Sequence, residues 1–307
     1  MVKITNFGSY RQYVLASDEL RVSVMELGAA VTGIDYRGRR VGLGYERAED
    51  YLTHDAYLGA IVGRFANRIG GGSFPLNGLS VELPRNEGAN TLHGGPDSWD
   101  RRVWQSRVEG DSVLFTLVSP DGDKGFPGTL SASVRYTVTG GALRIDFEGD
   151  TDADTVYAPT SHMYFNLRGE GSVLDMRMLL PAAGVLEVDG ALIPTGRILP
   201  AAGEFDFSRP RTVGRNYDHA FVLQGTRACE ASCAGVRLTV DTDFPALQFY
   251  TGEFLGEPFG ASGGFAVEPE FYPDAPNHPD FPSALLRAGE HFHRWAVYSF
   301  SAEESEE

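Results

Sequence analysis

The feature that most constrains this chain is a period of two that runs along most of its length. Arg21 to Leu27 alternates apolar and polar side chains, as do Ser112 to Val118, Ser131 to Val138, Leu143 to Glu148 and Val236 to Asp241. A segment of this kind puts one face in a core and the other in water, which is how a strand of an antiparallel sheet behaves. Turn residues punctuate the runs. Asn77-Gly78, between Phe74-Pro75-Leu76 and Leu79 to Leu83, is the signature of a two-residue type I′ hairpin, and Gly140-Gly141 joins two further strand-like runs. The chain carries 37 glycines and 17 prolines, as a turn-rich β-protein requires. No long stretch has helical periodicity, and residues 46–57 are expected to carry at most a short helix. The pattern predicts an all-β fold, a large antiparallel β-sandwich with few short helices. One broad concave face of such a sandwich can form an open ligand groove.

With 307 residues, 42% of them hydrophobic, the chain has ample material for a large core. Length alone suggests about two domains, yet all-β folds of this size also form single units. No linker-like stretch and no internal repeat divides the sequence, so residues 1–307 are expected to form one domain. The acidic end, 302–307, is expected to be a solvated, frayed tail.

Forty-two acidic residues against 26 basic ones leave a net charge of −16. Nucleic acids and anionic membranes call for a basic face, so neither is an expected partner. The same balance disfavours a phosphorylated ligand unless a local basic pocket overrides it. Lys3, Asn6, Ser9, Arg11 and Gln12 stand where a secretory leader needs an apolar run. No stretch approaches the ~20 apolar residues of a membrane span, and a cytoplasmic location is expected. Cys229 and Cys233 read as free thiols in a reducing compartment, with a disulfide or half a metal site as the other reading; no further cysteine exists to complete a thiolate site.

Three motifs, far apart in the chain, set proton-transfer side chains beside Gly, Pro or Asn. His93 lies in Thr91-Leu92-His93-Gly94-Gly95, where the glycines permit positive φ and close approach of the imidazole to a ligand. His162 lies in Ser161-His162-Met163-Tyr164-Phe165-Asn166-Leu167. Strand parity there puts His162 and Tyr164 on one face and Met163 and Phe165 on the other. Glu268 ends the apolar run Phe265-Ala266-Val267 and precedes Pro269, which holds it extended. Burial at that point raises a carboxyl towards a useful base. Glu270 shares its parity unless Pro269 breaks the register. Two imidazoles and a carboxylate suit an enzyme that gives one proton and takes another near neutral pH.

Asp218, entering the apolar strand Ala220-Phe221-Val222-Leu223, is a candidate acceptor for substrate hydroxyls or else a turn cap. Arg68 offers a planar fork to ring or hydroxyl oxygens, or serves a structural ion pair. His54, His278 and His291 sit in polar surroundings and read as surface residues, with His219 and His293 left open. Trp99, Trp104, Tyr164, Tyr250 and Phe254 are aromatic surfaces for stacking on a sugar or for the core. No compact ligand spacing supports a metal site, and no cofactor is expected. Acids, bases and hydroxyl binders on an extended β-surface fit chemistry on a neutral polyol.

Taken in order, the motifs resemble the aldose 1-epimerase (galactose mutarotase) family along nearly the whole chain. Gly63 to Ile69 resembles the family's Arg-bearing segment, Asn90 to Gly95 its His-Gly-Gly loop, Ser119 to Gly128 a loop of the same shape, and His162 to Leu167 its catalytic His segment. Ile193 to Ile198 and Phe205-Asp206-Phe207 resemble its connecting region. Tyr217-Asp218-His219 resembles the substrate-binding Asp motif, and Gln248 to Gly252 precedes the Glu268 segment. The resemblance implies a β-supersandwich and a cofactor-free isomerase acting on a neutral aldohexose such as galactose or glucose. Glu268 would be the base, His162 the acid, and His93 would stabilise charge at the ring or anomeric oxygen. Arg68 and Asp218 would hold the sugar, with Asn67 and Gln248 beside them. A monomer and a homodimer are both compatible with this fold.

Three residues depart from the family pattern. Met163 stands where Pro often follows the catalytic His, Glu270 where Gln is expected, and Arg168 where a small residue is expected. A second carboxylate at 270 either raises the pKa of Glu268 or changes which hydroxyl pattern is accepted. Two other readings compete with the epimerase, namely a non-catalytic sugar-binding or sensor protein on this fold, and an epimerase of a phosphorylated sugar. Arg168 is the one extra cation near a motif for the latter.

Overall fold

The computed structural model describes residues 2–303. The alternating segments are strands. Leu130–Thr139 and Ala142–Thr151 pair along their full length around Gly140-Gly141 and bury every second side chain almost without interruption. Asn77 and Gly78 take φ of 51° and 80° between Ser73–Leu76 and Leu79–Glu82, the geometry of a type I′ turn. The helix expected within 46–57 is a single turn, Asp50–Thr53. It has no side-chain N-cap, and its C-cap, His54, is extended, so nothing prolongs it.

Two large antiparallel sheets carry the fold among the described residues. One has 11 strands and is built outward from Phe265–Glu270, which lies between Ala246–Tyr250 and Tyr164–Phe165. The other has nine, with the long C-terminal strand His291–Ala302 between Ala142–Thr151 and Val236–Thr242. Their inner faces share one hydrophobic core. Tyr36 stacks on Phe300 and Phe165 on Tyr298 across it, and the hydroxyl of Tyr136 donates to the carbonyl of Ala29 at 2.7 Å. Each large side chain fully buried this way contributes about 1.5–3 kcal/mol.

Trp99 and Trp104 belong to this core, each 1% exposed, and are not stacking platforms. Residues 302 and 303, expected in the frayed tail, are held in the fold. Ala302 still pairs with Val236, and the Glu303 N–H donates to the Gly235 carbonyl, while 304–307 lie outside the described residues. Cys229 and Cys233 are both free thiols. No helix is long and apolar enough to cross a membrane.

Strand Phe265–Glu270 is buried at all six positions, so the alternation seen elsewhere is hidden here. Its two faces still differ. Phe265 and Val267 point into the shared core, while Ala266 packs with Leu43, Tyr45, Tyr164 and Leu255 under loops that cover the opposite face. Glu268 and Glu270 have the parity of Ala266. Pro269 does not break that relation, because pairing with Ala246–Tyr250 continues in register from Ala266 through Glu270.

Candidate active site

On this outer face of the 11-stranded sheet lies a cleft of about 370 Å³. His93, His162, Glu268, Arg68, Asp218, Asn67 and Gln248 all line it, so the structure gathers every candidate site residue into one place. Its walls also include Tyr57, Tyr164, Tyr250 and Phe254, with Asp55, Glu87 and Leu192 near the rim.

The sheet itself supplies Glu268, Gln248 and Asp218. Gln248 is the register partner of Glu268, and Asp218 sits one strand further, opposite Tyr250. Gln248 Nε2 donates to Asp218 Oδ1 at 2.5 Å, which aims the carboxylate's other oxygen elsewhere. Asp218 Oδ2 lies 4.0 Å from Arg68 Nη1.

His162 is not in a continuous strand as its parity suggested. Thr160–Ser161 pairs with Ile61–Val62, Tyr164–Phe165 pairs with Phe265-Ala266, and His162-Met163 is the break between the two ladders. Its backbone is held by a bond from the His162 N–H to the Ala60 carbonyl (2.9 Å) and one from the Gly59 N–H to the His162 carbonyl (2.8 Å). Gly59 is required at that point, because a Cβ there would sit 1.9 Å from the Val31 carbonyl oxygen. The expected sidedness survives. The His162 and Tyr164 rings stack at 4.9 Å, and Met163 and Phe165 enter the core.

A small ladder outside the main sheets, Arg68–Ile69 with Thr91–Leu92, brings in Asn67, Arg68 and His93. Asn67 and His93 flank it with φ of 64° and 50°, a strained region for non-glycine residues. Gly94 follows at φ 82°, where a Cβ would fall 1.9 Å from the Gly63 carbonyl oxygen. Gly94 thus allows a close backbone approach to Gly63, and Gly95, at φ 94°, uses the positive φ that the sequence suggested. Arg68 makes the structural ion pair that its second reading expected. Nε and Nη2 make a bidentate pair with Glu87 at 2.7 and 2.8 Å, leaving Nη1 on the Asp218 side.

Burial dominates the electrostatics. His162 is pushed down to about 4 by loss of water. His93 is held well below the ordinary imidazole range by burial, with His162 and Arg68 adding to the effect. Glu268 is raised well above the usual carboxylate range by burial and then by Glu270 and Asp218. His162 Nε2 faces Glu268 Oε2 at 3.7 Å. Both that oxygen and His162 Nδ1 are buried without a partner in the protein.

Other candidates fall away. Arg168 pairs with Asp175 and is not part of the cleft wall, so it supplies no phosphate site there. His54 is exposed, His291 and His293 pair with Asp150 and Asp146, and His219 accepts the Asp218 N–H and packs on Phe205. His278 is not a plain surface residue, since its Nε2 lies 3.1 Å from buried Asp274, which also accepts from the Gly70 N–H. Tyr57 and Glu87 were not foreseen. Tyr57 lies against both His93 (4.6 Å) and His162 (6.0 Å), yet nothing in its sequence surroundings marks it. Glu87 precedes Gly88 in a turn, and only the fold brings it to Arg68.

The aldose 1-epimerase family profile matches residues 11–299. The chain is 38% identical to the galactose mutarotase of Bos taurus, covering 96% of this chain and 95% of that protein. It is 37% identical to the aldose 1-epimerase of Escherichia coli K12, with 92% of each covered. Among solved structures, the aldose epimerase homologue from C. elegans superposes with a TM-score of 0.91 at 27% identity, over 99% of this chain and 100% of that one. The galactose 1-epimerase from Lactobacillus acidophilus gives 0.91 at 26%, over 99% of each. With a family match across most of its length and this fold, the chain belongs to the aldose 1-epimerase family.

Proposed function

We propose that this protein is an aldose 1-epimerase that interconverts the α and β anomers of a neutral aldohexose such as galactose or glucose. The observation that carries the reading is the buried Glu268–His162 pair at 3.7 Å, set in a cleft whose remaining polar groups are hydroxyl binders.

Glu268 takes the proton of the anomeric hydroxyl as the C1–O5 bond breaks, and His162 gives a proton to O5. The products are an open-chain aldehyde, a protonated Glu268 and a neutral His162. Rotation about C1–C2 presents the other carbonyl face, O5 attacks C1, and the two protons return. The working pair is a carboxylate beside an imidazolium. Burial favours a carboxylic acid beside a neutral imidazole. One proton passing from Glu268 to His162 converts the second arrangement into the first and leaves the net charge of the pair unchanged, which a buried site tolerates.

His93 is positioned to donate from Nε2 to the ring or anomeric oxygen. Arg68 and Asp218 hold hydroxyls through the groups that Glu87 and Gln248 leave free. The Asn67 side chain is already engaged with Glu270 and Arg68, which supports a positioning role over direct contact. Tyr164, Tyr250 and Phe254 offer apolar surface to the sugar's carbon faces. Arg68 is the single arginine or lysine lining the cleft, and it is already paired, which favours a neutral sugar over a phosphorylated one. The shared core of the two sheets supports a single domain, and the free thiols suit a reducing cytoplasm.

The test is polarimetry on freshly dissolved α-D-galactose and α-D-glucose with wild type and Glu268→Gln. Wild type should accelerate the change in rotation, and the variant should lose about 10²–10⁴-fold with the fold retained. A folded variant that turns over as fast as wild type removes Glu268 as the base.

A further inference from the structure

Glu270 is the one buried carboxyl beside the reacting pair that the reaction scheme does not use. It is 1% exposed, lies two residues from Glu268 on the same face of the same strand, and does not line the cleft. It therefore does not read the sugar's hydroxyls directly. Burying two carboxyls side by side is unfavourable, and a Leu or Gln at 270 would pack there without that penalty.

The two carboxyls are unequal. Glu270 Oε1 accepts a hydrogen bond from Asn67 Nδ2 at 3.0 Å, which favours its ionised form. No donor reaches Glu268 among the described residues, whereas the Oε2 of both carboxyls is buried without a partner. Burial raises both carboxyls well above the usual range, and the Asn67 bond opposes that shift at Glu270 alone, so of the two Glu270 is the more readily ionised. The charged and titratable groups facing the pair come from several elements. They are Asp218 and Tyr250 from the neighbouring part of the sheet, Arg68 from the small ladder, His162 and Tyr164 from the segment on the other side, and Tyr298 from the second sheet. Arg68 is the one permanent cation in this set, and Glu87 already occupies it.

We propose that Glu270 is a positioning residue for the epimerase reaction: its buried carboxylate, anchored by Asn67, sets the proton affinity of the Glu268–His162 pair and makes Glu268 the stronger base. The inference rests on the reading of Glu268 as the base. A fixed negative charge beside the pair strengthens the binding of each of its protons, so both limbs of the pH–rate bell lie at higher pH than they would without it. Removing that charge should displace the bell bodily towards acid.

The experiment is the pH dependence of kcat/KM for α-D-galactose in wild type, Glu270→Gln, Glu270→Asp and Glu268→Gln, with the fold of each checked by circular dichroism. Glu270→Gln should move both limbs to lower pH by on the order of one unit and lower the plateau, as expected of a weaker base. Glu270→Asp, which keeps the charge, should leave the limbs near those of wild type. A folded Glu270→Gln with wild-type limbs overturns the proposal, and so does a Glu270→Asp profile that shifts as far as that of Glu270→Gln. Full activity in Glu268→Gln would remove the base assignment itself, a failure distinct from that of Glu270. Should Glu270→Gln not fold, ¹³C NMR of the wild-type glutamate carboxyls decides, with Glu270 identified through its contact with the Asn67 amide. Glu270 ionising before Glu268 supports the proposal, and Glu270 staying protonated across the pH range of activity ends it.

Discussion

The backbone N–H of Asn67 donates to His93 Nδ1 at 3.1 Å, and the backbone N–H of His93 donates to the Asn67 carbonyl at 3.1 Å. This reciprocal pair decides which His93 nitrogen carries the proton. Nδ1 accepts, so the neutral ring has its hydrogen on Nε2, ready to donate to an oxygen that gains charge. The left-handed backbone at both residues is what lets each amide face the other.

¹⁵N NMR of the imidazole nitrogens should therefore show His93 Nδ1 unprotonated and Nε2 protonated at neutral pH. Because burial holds His93 well below the ordinary range, the spectrum should not change as pH is lowered through 6.5. His93→Ala should reduce kcat by about 10–10³-fold, as for a lost donor to a developing oxyanion. An Nδ1-protonated ring, or titration near pH 6.5, contradicts this assignment.

His162 links the site to acid stability. Its folded-state pKa, about 4, lies below the ordinary imidazole value of 6.5, so between those values the unfolded chain binds more protons than the native one. Stability from this group is fully present above pH 6.5 and is lost as pH falls towards 4, about 3 kcal/mol in all. Urea titrations of wild type and His162→Asn across that window should show the wild-type midpoint falling more steeply. Parallel curves would show that His162 is not held neutral.

Glu87 should matter to sugar binding through Arg68. Its two oxygens clamp the Arg68 fork and leave Nη1 facing Asp218. Glu87→Ala frees that fork and should raise KM about tenfold with a smaller change in kcat, the scale of one hydrogen bond to a charged group. A kcat loss at unchanged KM would instead tie Arg68 to the transition state.

Phe254 is 85% exposed at the mouth of the cleft, so little folding energy depends on it. Phe254→Ala should leave the thermal midpoint within about one degree, as for a surface change within ±0.5 kcal/mol. KM for the sugar should rise severalfold. An unchanged KM would exclude stacking by Phe254.

The sequence by itself determined the class of fold and the chemical vocabulary of the site. Period-two alternation needs only a residue's own polarity, and Asn77-Gly78 and Gly94-Gly95 declare local backbone geometry, so the sheets, their hairpins and the bend after His93 were legible. The candidate acid, base and hydroxyl binders were legible because their motifs resemble a known family in order. What the tertiary structure alone decided was pairing between distant positions. Glu87 with Arg68, Tyr57 against both imidazoles and Asn67 on Glu270 depend on chain crossings that no local pattern encodes. The core position of Trp99 and Trp104 depends on the same crossings. The expected strand through His162 was a break between two ladders, because parity is preserved across such a break and does not reveal it. Burial completed the site. The state of Glu268 and Glu270 follows from removal of water and from a neighbouring charge, and both exist only once the sheet and its covering loops have closed over them.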